Sequence, residues 1–348
     1  EKTALAITIA NREKALLQDL DYENGYSLYV GIPFCPSICL YCSFGSHPLE
    51  RWTKRVDEYL DALCKELTFI REEMGERKLT TVYIGGGTPT TLEPEQLRRL
   101  LSHIQTTFDF TWVKEYTVEA GRPDSITREK LQVMKEFPVT RISVNPQTMN
   151  QKTLDVIGRK HTVEDTVNIF HMARELGFDN INMDLIIGLP GEGKEEVAHT
   201  LQKVENLHPD SLTIHSLALK RATRLNLFKD KYEEMSFENS QEIMEMTQQC
   251  ARNMGMGPYY LYRQKNIAGN FENVGYAEVD KAGIYNILIM EEKQTILAAG
   301  AGASTKFVFE HGTRIERVEN VKDVNNYILR IDEMLERKRV GIEKYLNG

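Results

Sequence analysis

Cysteine is scarce in this chain of 348 residues, which has five. Five cysteines do not make a disulfide framework, and this argues against the small secreted scaffolds that are stapled by paired cystines. Basic charge is not in excess either: 43 Lys and Arg stand against 51 Asp and Glu, a formal charge of −8. No basic stripe runs along the chain, so a nucleic-acid partner is not expected. Long apolar runs are missing, and nothing approaches the roughly 20 residues needed to span a bilayer. Residues 3–10 are mildly apolar, but Asn11-Arg12-Glu13-Lys14 follows them and no basic region precedes them. They do not read as a signal peptide. Internal repeats and low-complexity segments are absent. What is left is a globular chain long enough for a full core and about two domains. It begins at Glu1 rather than Met, which points to an upstream segment.

Three of the five cysteines fall in one short stretch, Ile32-Pro33-Phe34-Cys35-Pro36-Ser37-Ile38-Cys39-Leu40-Tyr41-Cys42, spaced C-x3-C-x2-C. Thiolates hold iron–sulfur clusters, and a four-iron cluster normally takes four of them. Three ligands from a single loop would leave one iron open to bind something other than protein. The alternative is a zinc site, but structural zinc wants four ligands and no matched fourth lies nearby. An exposed cluster needs a reducing compartment, so a cytoplasmic location is expected. Cys64 and Cys250 fall within amphipathic helical patterns and read as small buried apolar residues.

Strand and helix patterns alternate through the first two thirds. Strands are expected at 28–32, 81–84, 114–119, 141–145, 180–187 and 211–216. Helices are expected over 1–20, from 51 to 75, after Pro94, from 127, across 151–177 and over 192–207. Six such units imply an α/β fold with a parallel sheet. Cys35, Gly86, Glu119, Gln147, Asp184 and Ser216 all fall at or near the carboxyl end of a strand. That is the catalytic face of a (β/α) barrel, although a doubly wound open sheet would place ligands there too. The texture changes after residue 225. A helix is expected over 236–254, strands at 258–262, 284–290, 295–299, 306–309 and 313–318, and a last helix over 321–345. This divides the chain into an N-terminal helical extension (1–25), a main unit (26–225) and a smaller C-terminal α+β domain (226–348).

The cysteine loop followed by Gly85-Gly86-Gly87-Thr88-Pro89 resembles the S-adenosylmethionine radical enzymes. More narrowly, the chain resembles the oxygen-independent coproporphyrinogen III oxidase family and its relative, the radical-type heme chaperone. The resemblance is strong over 26–225 and weak beyond. It implies a partial (β/α)6 TIM-like barrel, a 4Fe-4S cluster on Cys35, Cys39 and Cys42, and S-adenosyl-L-methionine on the open iron. It also implies cofactor contacts from Tyr29, Tyr41, Gly86, Gly87, Thr88, Glu119, Gln147, Arg159 and Asp184, with Ser216 aligning loosely. Tyr29 could equally be core. Asp184 also has a physical case of its own, because a carboxylate inside a strand as apolar as 181–189 is costly to bury without a partner. His161 and His215 are left without a role.

The activity implied is oxidative decarboxylation of two propionates of coproporphyrinogen III to vinyl groups by a 5′-deoxyadenosyl radical, giving protoporphyrinogen IX in heme biosynthesis. The partners implied are a porphyrinogen substrate and an electron-donor protein. A tetracarboxylate should meet cations, and Lys220, Arg221, Arg224, Arg263 and Lys265 are candidates. Two departures stand out. The well-studied oxidases continue their motif as C-x3-C-x2-C-x-C, whereas Ser43-Phe44 follows Cys42 here, as in the chaperone. The chaperone carries His-Asn-x-x-Tyr-Trp, where this chain reads Tyr285-Asn286-Ile287-Leu288-Ile289-Met290. The chain is neither parent in full, but His-Ser-Leu-Ala-Leu-Lys-Arg-Ala over 215–222 and Tyr-Arg-Gln-Lys-Asn over 262–266 resemble a divergent dehydrogenase branch; heme carriage, or radical chemistry on another substrate, stands as the alternative.

Overall fold

The computed structural model describes residues 2–42, 47–218, 238–262 and 271–347. Its frame is one sheet of eleven strands. In chain order these are β1 Tyr26–Ile32, β2 Leu79–Gly86, β3 Glu115–Gly121, β4 Arg141–Val144, β5 Ile181–Ile187, β6 Ser211–Ser216, β7 Gly257–Tyr262, β8 Asn273–Ala277, β9 Thr295–Ala299, β10 Ser304–Phe309 and β11 Arg314–Glu319. They lie side by side as β11-β10-β9-β1-β2-β3-β4-β5-β6-β8-β7. From β9 to β6 every pairing is parallel, while β10, β11, β8 and β7 are added antiparallel at the two sides.

Between the six expected parallel strands run α2 Val56–Met74, α3 Pro94–Thr107, α4 Arg128–Lys135, α5 Gln151–Val156, α6 Val163–Glu175 and α7 Lys194–Leu207. Local chemistry starts several of them. Pro94 occupies the first turn of α3, and Gln96 folds back onto the Glu93 amide at 3.0 Å. Thr162 and Asp165 form the same reciprocal cap on α6. The remaining helices are α1 Lys2–Leu17, α8 Gln241–Asn253, α9 Ile284–Met290, α10 Val324–Leu329 and α11 Ile331–Asn347. Arg12 of α1 donates to the carbonyls of Gly257, Ala277 and Glu278, which fastens that helix to β7 and β8.

The period-2 alternation of the strands divides the sheet into two chemistries. Leu28, Val30, Ile32, Val82, Ile84, Val118, Ile142, Val144, Leu185, Leu212 and Ile214 are fully buried in the main apolar core. The intervening positions, from Ser27, Thr81, Thr117, Ser143, Asn182 and Thr213 upward, are polar and form the other face. There Thr81 donates to Ser27 at 2.7 Å, and Ser211 and Thr213 both donate to Asn182. Above this layer, Tyr29, Tyr83 and Tyr285 stack, with ring centroids 6.2 and 4.5 Å apart.

One expected strand is a helix. Residues 284–290 form α9, whose first amides, Ile284 and Tyr285, donate to the buried Glu115 carboxylate at 2.5 and 3.4 Å. A short run rich in isoleucine cannot by itself be told from a buried helix. Here an acid at the helix N-terminus decides. The last helix is also two pieces, broken at Arg330. β8 was not anticipated at all, and β9 adds a seventh parallel strand beside β1.

Candidate active site

A cavity of about 330 Å3 opens where β1 to β6 end, within the roughly 300–1,000 Å3 usual for small-molecule sites. Cys35, Cys39 and Cys42 line it, together with Tyr41, Gly86, Gly87, Thr88, Glu119, Gln147, Arg159, Asp184 and Ser216. Tyr29 does not line it, since its ring belongs to the stacked tyrosine layer beneath. Cys64 and Cys250 lie elsewhere, Cys250 buried with its thiol on the Leu201 carbonyl at 3.6 Å.

The glycine run is fixed by close approach to the cysteine loop. The Gly87 amide donates to the Ile32 carbonyl at 2.7 Å, and the Thr88 amide to the Phe34 carbonyl at 2.8 Å. A Cβ on Gly87 would lie 2.5 Å from the Phe34 oxygen, and Gly86 has φ 115°. Only glycine fits there. The result sets the Thr88 hydroxyl 3.6 Å from the Cys35 sulfur. Burial pushes the Cys35 thiol up to about 11.

Arg159 reaches the site from the end of α5. Gly158, at φ 77°, turns the chain so that the Arg159 amide bonds back to Leu154. The guanidinium then donates to the Asn145 carbonyl at 2.6 Å and to the Tyr41 hydroxyl at 3.1 Å. Leu40, Leu154, Ile157, Ile186, Leu189 and Leu217 form a small apolar cluster that holds this turn against the cysteine loop. Gln147 sits at φ 66°, a strained backbone for a residue that is neither Gly nor Asn, and bridges to Leu185. Its Oε1 and the Arg159 Nε are buried without a protein partner.

The acids differ in charge state. Burial, with the Asp184 carboxylate nearby, pushes Glu119 up to about 7, against hydrogen bonds from Tyr83 and the Gly86 amide. Burial also works against Asp184, but donors from His215, Asn182 and Thr213 outweigh it and hold Asp184 below the usual carboxylate range. The His215 Nε2 lies 3.6 Å from Asp184, and its Nδ1 lies 2.9 Å from the Tyr262 hydroxyl. His215, Tyr262, Asn145, Asn273 and Arg122 also line the cavity. Sequence reasoning gave none of them a role. His215 shares the inner face of β6 with Thr213, and Arg122 directly follows a strand end, so alternation and position would have flagged both. His161 is buried away from the cavity, and burial pushes it down to about 4. The cations Lys220, Arg221, Arg224, Arg263 and Lys265 lie outside the described residues.

Among the described residues, no three His, Cys, Asp or Glu side chains are arranged around a single metal ion. The three thiols line one cavity, which has room for a group larger than a single ion. Unpartnered Gln147 and Arg159 atoms and an ionised Asp184 beside it suit a polar, charged cofactor. An α/β partial barrel with such a site defines a radical S-adenosylmethionine protein, and residues 29–204 match the Radical SAM superfamily, so the chain belongs to it. Within that superfamily it belongs with the coproporphyrinogen-III-oxidase-like proteins. It is 44% identical over 348 residues to the oxygen-independent coproporphyrinogen-III oxidase-like protein HemZ of Bacillus subtilis, covering 99% of this chain and 70% of that one. The heme chaperone HemW of the same organism is 38% identical over 198 residues, 57% of this chain and 52% of the chaperone. Coproporphyrinogen III oxidase (HemN) from Escherichia coli, a solved radical SAM enzyme, superposes with a TM-score of 0.71 at 25% identity, over 92% of this chain and 73% of that one. The cofactors of the family, a 4Fe-4S cluster and S-adenosylmethionine, are those of this protein. No described helix is long and apolar enough to cross a membrane.

Proposed function

We propose that this protein carries out oxygen-independent oxidative decarboxylation of coproporphyrinogen III, turning propionates into vinyl groups. The observation that carries this reading is the extent of the likeness. The oxidase-like protein of Bacillus subtilis is 44% identical over 99% of the chain and the E. coli oxidase superposes over 92% of it, whereas the chaperones match either 57% of the chain or, at 27% identity, 90% of it. Residues 26–225 would hold the cofactors and 226–348 would cover the substrate. Cys35, Cys39 and Cys42 would hold the cluster; Glu119, Gln147, Arg159 and Asp184 would orient the S-adenosylmethionine. When bound, that pair supplies hydrogen-atom abstraction. The chain's own share is to aim the cofactor, exclude water and hold the substrate near His215, Tyr262 and Asn273. An electron-donor protein is the partner this chemistry requires.

The carrier reading is weaker on geometry. Tyr285, which replaces the chaperone histidine, is buried on α9 and stacked on Tyr83. A heme could reach it only by unpacking the core. Anaerobic incubation of the reduced, cluster-loaded protein with coproporphyrinogen III, S-adenosylmethionine and an electron acceptor should release carbon dioxide and give a product that has lost, at each of two propionates, one carbon dioxide and two hydrogens. Stoichiometric heme binding with no change in the porphyrinogen would reverse the assignment.

A second expectation concerns the acids. Asp184→Ala and Glu119→Ala should keep the cluster yet weaken S-adenosylmethionine binding by about 1.5–3 kcal/mol, roughly tenfold to a hundredfold. Glu119, raised to about 7, is largely protonated below that pH. A cofactor cation that needs the carboxylate should therefore bind more weakly as pH falls from about 8 to about 6. Equilibrium binding across that range should show the step in the wild type and lose it in Glu119→Gln. Wild-type affinity in both alanine variants would mark the acids as structural.

A further inference from the structure

The most completely bonded cation at the site is Arg122. Its side chain is 4% exposed, and it is held from two sides. On one side Nη1 donates to the Cys39 sulfur at 3.6 Å and to the Ser37 carbonyl and hydroxyl, each at 2.9 Å. On the other side Nε and Nη2 donate to the two oxygens of Asp124 at 3.0 and 2.7 Å. The loop that carries this pair is pinned in turn. The buried Lys130 ammonium donates to the Thr90 carbonyl at 2.7 Å and to the Ser125 carbonyl at 3.1 Å. Thr90 also donates to the Ala120 carbonyl at 2.6 Å. One clamp therefore fixes both hydroxyl and guanidinium donors, Thr88 on Cys35 and Arg122 on Cys39, against sulfur.

We propose that Arg122 and Asp124 form an opposed charge pair that sets the reduction potential of the cluster. Reduction adds one negative charge to the cluster, and a fixed cation on a ligand sulfur favours the form that carries more of it. Burial leaves little solvent to screen that cation. Asp124, on the far side of the guanidinium, opposes the effect and limits it. Arg122 thus acts through the cluster rather than on the substrate. A merely structural Arg122, locking the Ser37 loop, would leave the potential where it is.

Two substitutions of opposite sign separate these readings. The experiment is a redox titration of the anaerobically reconstituted full chain, followed by electron paramagnetic resonance with no porphyrinogen present, so it is independent of the substrate assignment. In Arg122→Gln the ratio of reduced to oxidised cluster at a fixed poise should fall about tenfold, equivalent to 59 mV for a one-electron couple. In Asp124→Asn, which leaves Arg122 its bonds to Ser37 and Cys39, the ratio should rise several-fold. Arg122→Lys should fall between Gln and wild type. If Arg122→Gln fails to load iron, Asp124→Asn decides alone. An unchanged or lowered potential in Asp124→Asn, or an unchanged one in loaded Arg122→Gln, overturns the proposal.

Discussion

Replacing Cys39 by alanine should leave a folded chain that no longer holds a cluster, whereas Cys64→Ala and Cys250→Ala should still take up about four irons per chain. The argument starts from how little the cysteine contributes to the fold as a thiol. Cys39 is buried beside Arg122, Tyr41 and Leu40, and to the packing it is a small apolar side chain. Alanine removes one sulfur from that surface and should leave the secondary structure intact. On the proposed assignment the cluster would have three protein ligands from one loop, and losing one would open a second iron to solvent. Cys35→Ala and Cys42→Ala should behave alike. Iron content and the visible charge-transfer absorption of reconstituted protein read the outcome, with circular dichroism as the check on folding. A full cluster in Cys39→Ala would mean that this thiol is not a ligand.

The distribution of what could be read from the sequence has a physical pattern. β6 was legible to the residue, because Ser211-Leu212-Thr213-Ile214-His215-Ser216 alternates and Pro209 precedes it. The thiols were legible from their spacing, and Asp184 because a carboxylate is out of place in an apolar strand. β8 was not. Its five residues include Gly275, over which the Tyr260 ring packs so closely that a Cβ there would lie 1.9 Å from it. Its strand state comes from pairing with β6, distant in the chain, and with β7, the strand before it. The α9 segment failed for the reverse reason. Its own residues favour strand, and a carboxylate 169 positions away captures its first amide.

The site shows the same division. Cys35, Glu119 and Asp184 could be placed by strand position, since the barrel face collects strand ends. Tyr29 lies on the same face of β1, yet its ring stacks on Tyr83 and does not line the cavity. Strand alternation fixes the face a side chain lies on, but its height depends on how far neighbouring strands are staggered. Position just after β3 would have flagged Arg122, but its bond to Cys39 depends on the turn after β3 folding against the turn after β1. That contact is tertiary and has no local signature.

The largest effect on stability should come from a pair far from the cavity in sequence terms, Glu66 and Lys338. Both side chains are fully buried, and the ammonium lies 3.0 Å from the carboxylate. Glu66 is fully engaged: it accepts from Asn320 at 2.7 Å, from the Tyr327 hydroxyl at 2.5 Å and from the Gly300 amide at 2.9 Å. Lys338 also donates to the Ala298 carbonyl at 2.8 Å and to Thr305 at 3.2 Å. One ion pair thus ties α2, α10 and α11 to the turn after β9. Removing a single member leaves the other charge buried and uncompensated, a loss of about 3–5 kcal/mol. Lys338→Met should therefore lower the free energy of unfolding by that amount, read by urea denaturation of the cluster-free protein. Glu66→Gln should do the same. The double variant should lose less than the sum of the two, because no lone charge remains. The effect should also reach the cluster. A Cβ on Gly300 would lie 2.6 Å from the Gly31 carbonyl, and Tyr59 donates to that same carbonyl at 2.6 Å while accepting from the Ala301 amide at 3.1 Å. Loosening this turn frees Gly31 near the end of β1, four residues before Cys35, so Lys338→Met should also lose iron faster to a chelator. Wild-type stability in Lys338→Met would show that the pair contributes nothing to holding the sheet closed around the cysteine loop.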